Sequence, residues 1–271
     1  MRGKKEIRNP WVGLASYQEP IPGQGTYLFC GRDQAIKEVV SLVDDNLFLL
    51  LYGGTGVGKT SLLNAGVFPV MRKRNYLPLY IRLGLYDIDK SFEEVIVNCV
   101  RKEMAKYSCR IETTQELDCR DEDYLWKFFF SSTFYNSRGE IVYPLIVLDQ
   151  FEEVFIRRKK DAWALLLQIY KLIDDTQIID ASQGFHSETN FRFVASIRED
   201  YLYKLEECID AQHLTEMLYC RFRLASMSPE EAESVILLPG KGLIKTDDEA
   251  SVVKRILEIA TIKNEGTISS L

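Results

Sequence analysis

Short, unbroken apolar runs alternate along this chain with longer stretches whose apolar residues recur every three or four positions. The runs are LFLLLY (47–52), LPLYIRL (77–83), YPLIVLD (143–149) and NFRFVASI (190–197), with the alternating YCRFRLAS (219–226) last. Runs of this length predict buried strands. Strands separated by amphipathic helices predict a parallel sheet covered on both faces. The helical stretches are 32–43 (through Ala35, Ile36, Val39, Val40 and Val43), 59–73, 91–107, 121–135, 161–174 and a short one near 199–209. Ser91 followed by Glu94 makes a capping-box start, and 108–120 reads as a loop. Residues 1–27 have no period. They predict an extended lead-in with turns at Glu19-Pro20 and Pro22-Gly23, packed through Trp11, Val12, Leu14 and Tyr17. After 226 the character changes. Ser228-Pro229-Glu230-Glu231 opens a helix, Leu237-Leu238-Pro239-Gly240 stops it, and a second helix is expected from Asp247 to Thr261.

Composition narrows the class. The 271 residues are 46% hydrophobic and 27% charged, with 16 Gly and 8 Pro, which excludes a collagen-like or disordered chain. A net charge of −6 argues against nucleic acid or an anionic membrane as the main partner. The longest apolar run is far shorter than the roughly 20 residues a membrane span needs, and no apolar segment follows the basic start to make a secretory signal. The six cysteines (Cys30, Cys99, Cys109, Cys119, Cys208 and Cys220) form no C-x-x-C pair and have no zinc spacing to His186 or His213. Free thiols in a reducing, cytoplasmic setting are the expectation.

Three segments carry chemistry. GGTGVGKTS (53–61) fits G-x-x-x-x-G-K-[ST] through Gly53, Gly58, Lys59 and Thr60, with a buried strand before it and an amphipathic helix after. Gly54, Gly56 and Gly58 let the backbone curl its N–H groups around a phosphate, with Thr55, Val57 and Ser61 completing the loop. Lys59 should reach the β- and γ-phosphates, and Thr60 should ligate Mg²⁺. LIVLDQFEEVF (145–155) ends a buried strand in Asp149, where a Walker B carboxylate orients Mg²⁺. Glu152 and Glu153 follow. One of them can polarise the attacking water, with Glu153 slightly preferred. The plainer reading makes all three acids helix-start residues. FVASIRED (193–200) ends a third strand in Ser196 and Arg198. Arg198 can read the γ-phosphate, or it can pair at the surface with Glu199 or Asp200. The basic runs 72–74 and 157–160 read as solvated helix ends, and KFFFSSTFY (127–135) as a core face.

In this order and spacing the motifs resemble the STAND class of P-loop ATPases, and most closely the bacterial "novel STAND" group. Its NP-Y-x-GL-x-x-[FY] opening resembles Asn9-Pro10-Trp11-Val12-Gly13-Leu14-Ala15-Ser16-Tyr17. Its [FL]-x-GR motif is similar to Leu28-Phe29-Cys30-Gly31-Arg32, its DQFEE to 149–153, its sensor arginine to Arg198, and its post-helix proline to Pro239. The resemblance implies a three-layer α/β P-loop NTPase with a mostly parallel five-stranded sheet of order 5-1-4-3-2 and a small helical lid. It implies segments 1–27 (lead-in near the nucleotide), 28–226 (NTPase domain) and 227–271 (partial lid). It places Arg32 beside the nucleotide, with Trp11 and Phe29 as weaker candidates.

The resemblance further implies an ATP/ADP switch with Mg²⁺, held off by ADP, switched on and oligomerised by ATP, and reset by slow hydrolysis. Bacterial defence or regulation is the implied setting. Family members continue into winged-helix and sensor domains, and some carry effectors, so this chain is expected to be an NTPase core whose partners include those segments. No direct nucleic-acid contact is expected. The alternative is an AAA-like ATPase that loads or remodels DNA or protein.

Overall fold

Each of the five apolar runs is a strand of one sheet. In the computed structural model, which describes residues 11–13, 15–20, 27–86, 89–121, 123–183, 191–211, 213–241 and 249–263, they are β1 (Phe48–Gly53), β2 (Tyr76–Ile81), β5 (Tyr143–Leu148), β6 (Arg192–Arg198) and β7 (Arg221–Arg223). All pairings are parallel, in the order β2-β5-β6-β1-β7. The numbering differs from the implied 5-1-4-3-2 because two further strands lie between β2 and β5. Counted within the sheet alone, the sequence of neighbours is the same.

Those two strands are β3 (Arg110–Thr113) and β4 (Ser132–Tyr135), a separate antiparallel pair in register Arg110↔Tyr135 to Thr113↔Ser132. They correct two expectations. The loop 108–120 contains β3, and the helix expected over 121–135 runs only from Tyr124 to Ser131 before the chain turns into β4. Phe134 follows Phe130 by four residues, so helical spacing continued by accident into the strand. β3 is largely exposed, so its pairing partner, rather than burial, makes it a strand.

The other helices lie near their expected places at Asp33–Asp45, Phe92–Lys106, Leu202–Ala211, Pro229–Gly240 and Glu249–Lys263, while the one expected over 161–174 is longer, Lys159–Gln183. Ser91 Oγ accepts the Glu94 amide at 3.1 Å, as the capping pattern predicts. The stop expected at Leu237-Leu238-Pro239-Gly240 falls in place, the helix ending at Gly240, but Pro239 sits in its last turn rather than after it. Helix 59–73 is Lys59–Ser61, a π-helical stretch Leu62–Val67, and Phe68–Arg72. Asn9, Pro10, Leu14, the Pro22-Gly23 turn, His186 and the start expected at Asp247 lie outside the described residues.

The chain divides into two compact units. One is Met1–Glu38, Gly54–Pro69 and Leu224–Leu271; the other is Val39–Gly53 and Val70–Arg223. The second holds the sheet. On one sheet face Phe48, Leu50, Leu79, Ile146, Leu148, Phe193, Ala195 and Ile197 pack with Val97, Val100, Phe128, Leu165 and Ile169 from the helices. Phe129, Phe134, Phe191 and Phe193 form a ring cluster with centroids 4.9–6.1 Å apart, so the phenylalanine run serves the core. Leu49, Leu51, Val147 and Val194 alternate onto the opposite face and are also buried, which is why the strands read as unbroken apolar runs.

The first unit holds the lead-in, the loop after β1 and the two C-terminal helices. Ser228 Oγ accepts the Glu231 amide at 3.2 Å while the Glu231 carboxylate takes the Ser228 amide at 2.8 Å, closing a capping box. All six cysteines are free. Among the described residues no helix is long and apolar enough to cross a membrane.

Candidate functional site

The glycine loop leaves β1 at Gly53. Gly56 and Gly58 take φ of +77° and +94°, the left-handed region that a side chain would strain, and a Cβ at either would meet no atom of the described residues within 4 Å. Alternating such residues with ordinary ones turns successive N–H groups to one side, the nest that receives an anion. Lys59 Nζ donates to Gly54 O at 3.1 Å, folding the cation back over its own loop. The loop hands on to the helix at Lys59, and Leu62 N donates to Gly58 O at 2.8 Å. Backbone shape and cation both fit a phosphate chain. Ser61 Oγ accepts the Tyr17 amide at 3.1 Å, so this hydroxyl is used to hold the lead-in.

The lead-in and the arginine motif are built around the same unit. Trp11 Nε1 donates to Val235 O at 3.0 Å. Tyr17 packs its ring 5.4 Å from that of Phe29. Arg32 is buried. Its guanidinium donates to Val57 O and Ala225 O, both at 3.0 Å, and lies 3.5 Å from Glu231 Oε2. Burial pulls the Arg32 proton affinity down, and Glu231 opposes that pull.

The second unit carries the carboxylates. Asp149, just past β5, is 2% exposed; its amide donates to Ile81 O at 2.9 Å and its Oδ2 accepts the Tyr80 hydroxyl at 2.6 Å. A buried carboxylate at a sheet edge is a hard oxygen donor of the kind Mg²⁺ takes. Among the described residues no three His, Cys, Asp or Glu gather to cage a metal.

The two glutamates part company. Consecutive helical residues point about 100° apart. Glu152 is 6% exposed, and its Oε2 accepts the Arg198 amide at 3.2 Å, at the end of β6. Glu153 is turned the other way, onto Arg82. The guanidinium engages both carboxylate oxygens, with Nε to Oε2 at 3.3 Å, and this pairing raises the proton affinity of Arg82. Gly84 leaves room for it. A Cβ there would lie 2.8 Å from Glu153 Cβ and closer still to its carboxylate. Arg157 donates to Gly84 O, fixing that turn.

Arg198 ends β6 opposite Gly53 of β1. Its guanidinium pairs with Asp200 and lies 5.3 Å from the Tyr201 ring centre, while its Nε is buried with no hydrogen-bond partner among the described residues. Ser196, two residues earlier and so on the same strand face, is fully buried, and its hydroxyl likewise has no partner among the described residues.

With this geometry in hand, comparison with known proteins settles the family. The Novel STAND NTPase 1 family model matches residues 10–268. This chain belongs to that family. No curated protein matches it in sequence. Among solved structures this STAND NTPase is similar to a Walker-type ATPase of Pyrococcus abyssi (TM-score 0.51, 12% identity, 82% of this chain and 62% of that one). It is also similar to the ORC2 protein of Aeropyrum pernix in its ADP form (0.55, 12%, 92% and 62%). The ORC1 protein of the same organism, solved in complex with DNA, matches at 0.50, 12%, 85% and 56%. At such identities the likeness is one of fold, and it is that of parallel-sheet ATPases. The chain spans about three fifths of the length of these proteins.

Within each unit of the STAND NTPase motif residues meet: Arg32 holds the loop at Val57, Glu152 meets the end of β6 at Arg198, and Asp149 lies with Tyr80 and Arg82. Glu153 shares Arg82 with Asp149 rather than meeting Arg198. The sequence reading passed over Tyr80, Arg82 and Gly84. The available signal was period two at the end of β2, which puts Tyr80 and Arg82 on one face beside the strand that carries Asp149. The basic runs are engaged structurally: Arg74 pairs with Asp44, Arg72 donates to the Tyr107 hydroxyl at 3.2 Å, and Arg158 pairs with Asp161.

Proposed function

We propose that this chain is the nucleotide-binding and slowly hydrolysing core of a STAND switch, with ADP in the off state and ATP in the on state. The observation that carries the reading is the loop itself. Positive φ at Gly56 and Gly58 and a lysine folded over the loop are what a nucleoside di- or triphosphate needs. Loop amides and Lys59 bind and neutralise the phosphates. Thr60 and Asp149 hold Mg²⁺, which neutralises charge on the β- and γ-phosphates when bound. Tyr80 keeps the Asp149 carboxylate in one orientation.

Glu152 takes the general-base role in this proposal, in place of the sequence preference for Glu153. Its side chain meets the end of β6, whereas Glu153 is committed to Arg82. Arg198 reads the terminal phosphate after leaving Asp200, a carboxylate it shares only at the surface. Residues 227–271 act as part of the helical lid. Oligomerisation, a sensor segment and a role in defence or regulation come with the family resemblance and belong to the larger protein. DNA, which the ORC1 protein holds in its own structure, is left out because the chain carries a net −6.

The test is single-turnover ATP hydrolysis by wild type and Glu152→Gln, with ADP and ATP affinity measured alongside. Intact binding with hydrolysis slowed at least tenfold supports the proposal. Equal rates reject Glu152 as the base, and absent binding in the wild type rejects the switch.

A further inference from the structure

Arg32 sits on the side of the phosphate loop opposite the one a ligand would use. The Val57–Gly58 peptide is trans, as are all peptide bonds among the described residues, so its C=O and N–H point in opposite directions. Arg32 holds the C=O at 3.0 Å. The Gly58 N–H is therefore aimed away from Arg32, toward the concave side of the nest. A charge-assisted bond to the oxygen also draws electron density through the amide, making the N–H at the other end a stronger donor.

The same guanidinium is tied to the start of the helix Pro229–Gly240. It donates to Ala225 O at 3.0 Å and faces Glu231, whose carboxylate closes the capping box on the Ser228 amide at 2.8 Å. Gly31 brings the backbone in close. It has φ +76°, and a Cβ there would lie 2.6 Å from Glu231 O and 2.7 Å from Val235 Cγ2. Cys30 Sγ meets Ser234 O at 3.5 Å and Trp11 Nε1 meets Val235 O at 3.0 Å. Residues 11 and 30–32 thus strap one helix of the lid segment, and the strap ends on a phosphate-loop carbonyl.

We infer that Arg32 is a positioning residue: it orients and polarises the Val57–Gly58 peptide for phosphate and links that peptide to the helix Pro229–Gly240, without touching the nucleotide. The inference rests on the proposed nucleotide site and departs from the family-derived expectation that Arg32 lies against the nucleotide. A residue that acts through the loop peptide affects every ligand that carries the phosphates, whatever its base. A residue on the base affects ADP and leaves pyrophosphate alone.

The experiment is calorimetric titration of wild type, Arg32→Ala and Arg32→Lys with ADP and, separately, with inorganic pyrophosphate. Arg32→Ala is expected to weaken both ligands by the same factor, about tenfold. Arg32→Lys, which keeps the charge but reaches fewer of the three partners, is expected to weaken both equally and by less. Arg32→Lys decides the matter by itself if the alanine variant fails to fold. A loss for ADP with pyrophosphate unchanged, or no loss for either, overturns the inference. A wild type that binds neither ligand fails the nucleotide reading itself, which separates the two claims.

Discussion

The phosphate loop and the acidic edge do related jobs with different materials. The loop is made of backbone: Gly56 and Gly58 set its shape, and Arg32 steadies it from behind. The acidic edge is made of side chains, each held by a partner from another strand: Asp149 by Tyr80, Glu152 by the Arg198 amide, Glu153 by Arg82. A site built from backbone depends on local sequence. A site built from side chains depends on which strands lie together. The first should therefore fail sharply when one residue is removed, and the second should fail in proportion to how each acid is held.

The largest effect should come from the loop. Lys59→Ala removes the long cation folded over it, and nucleotide affinity should fall on the order of a hundredfold or more, read by calorimetry. A much smaller loss would mean that the backbone nest suffices and would sharpen the contrast in its favour. At the acidic edge, Glu152→Gln should slow hydrolysis by about a hundredfold while Glu153→Gln slows it far less, with ADP affinity kept in both. The reverse order would restore Glu153 as the base and show that its pair with Arg82 opens during turnover.

Next in size is Gly84→Ala, which drives a methyl into Glu153 and should cost about 1–3 kcal/mol. At roughly 2–4 °C per kcal/mol for a domain of this size, that is a fall of several degrees in Tm. Equal Tm values would mean that the Arg82–Glu153 pair gives way freely. The smallest effect should be that of Ser228→Ala. Losing the capping box costs about 1 kcal/mol, seen as a Tm shift of a few degrees. ADP affinity should stay near wild type, because Arg32 still reaches Val57 O.

What the sequence revealed follows the same division. The loop, Asp149 and the five sheet strands were legible because strand burial and the G-x-x-x-x-G-K-T pattern are written in consecutive residues. Tyr80 and Arg82 were not. Their importance comes from the pairing of β2 with β5, which sets Ile81 against Leu148 and so brings them beside Asp149 and Glu153. What Glu152 and Glu153 each meet was equally hidden, since it turns on the phase of a six-residue helix. The β3–β4 pair escaped because exposed strands such as Arg110–Thr113 have no burial signature and are defined by a partner some twenty residues away. Arg32 was picked out by resemblance, but its partners Val57, Ala225 and Glu231 could be found only in three dimensions.

The central claim is that residues 53–61 bind a nucleotide through its phosphates. Titration of the wild-type chain and Lys59→Ala with Mg²⁺–ADP tests it most directly. The account predicts saturable binding at one site per chain, lost in the variant while its fold is retained. No binding by the wild type, or undiminished binding by the variant, would contradict it.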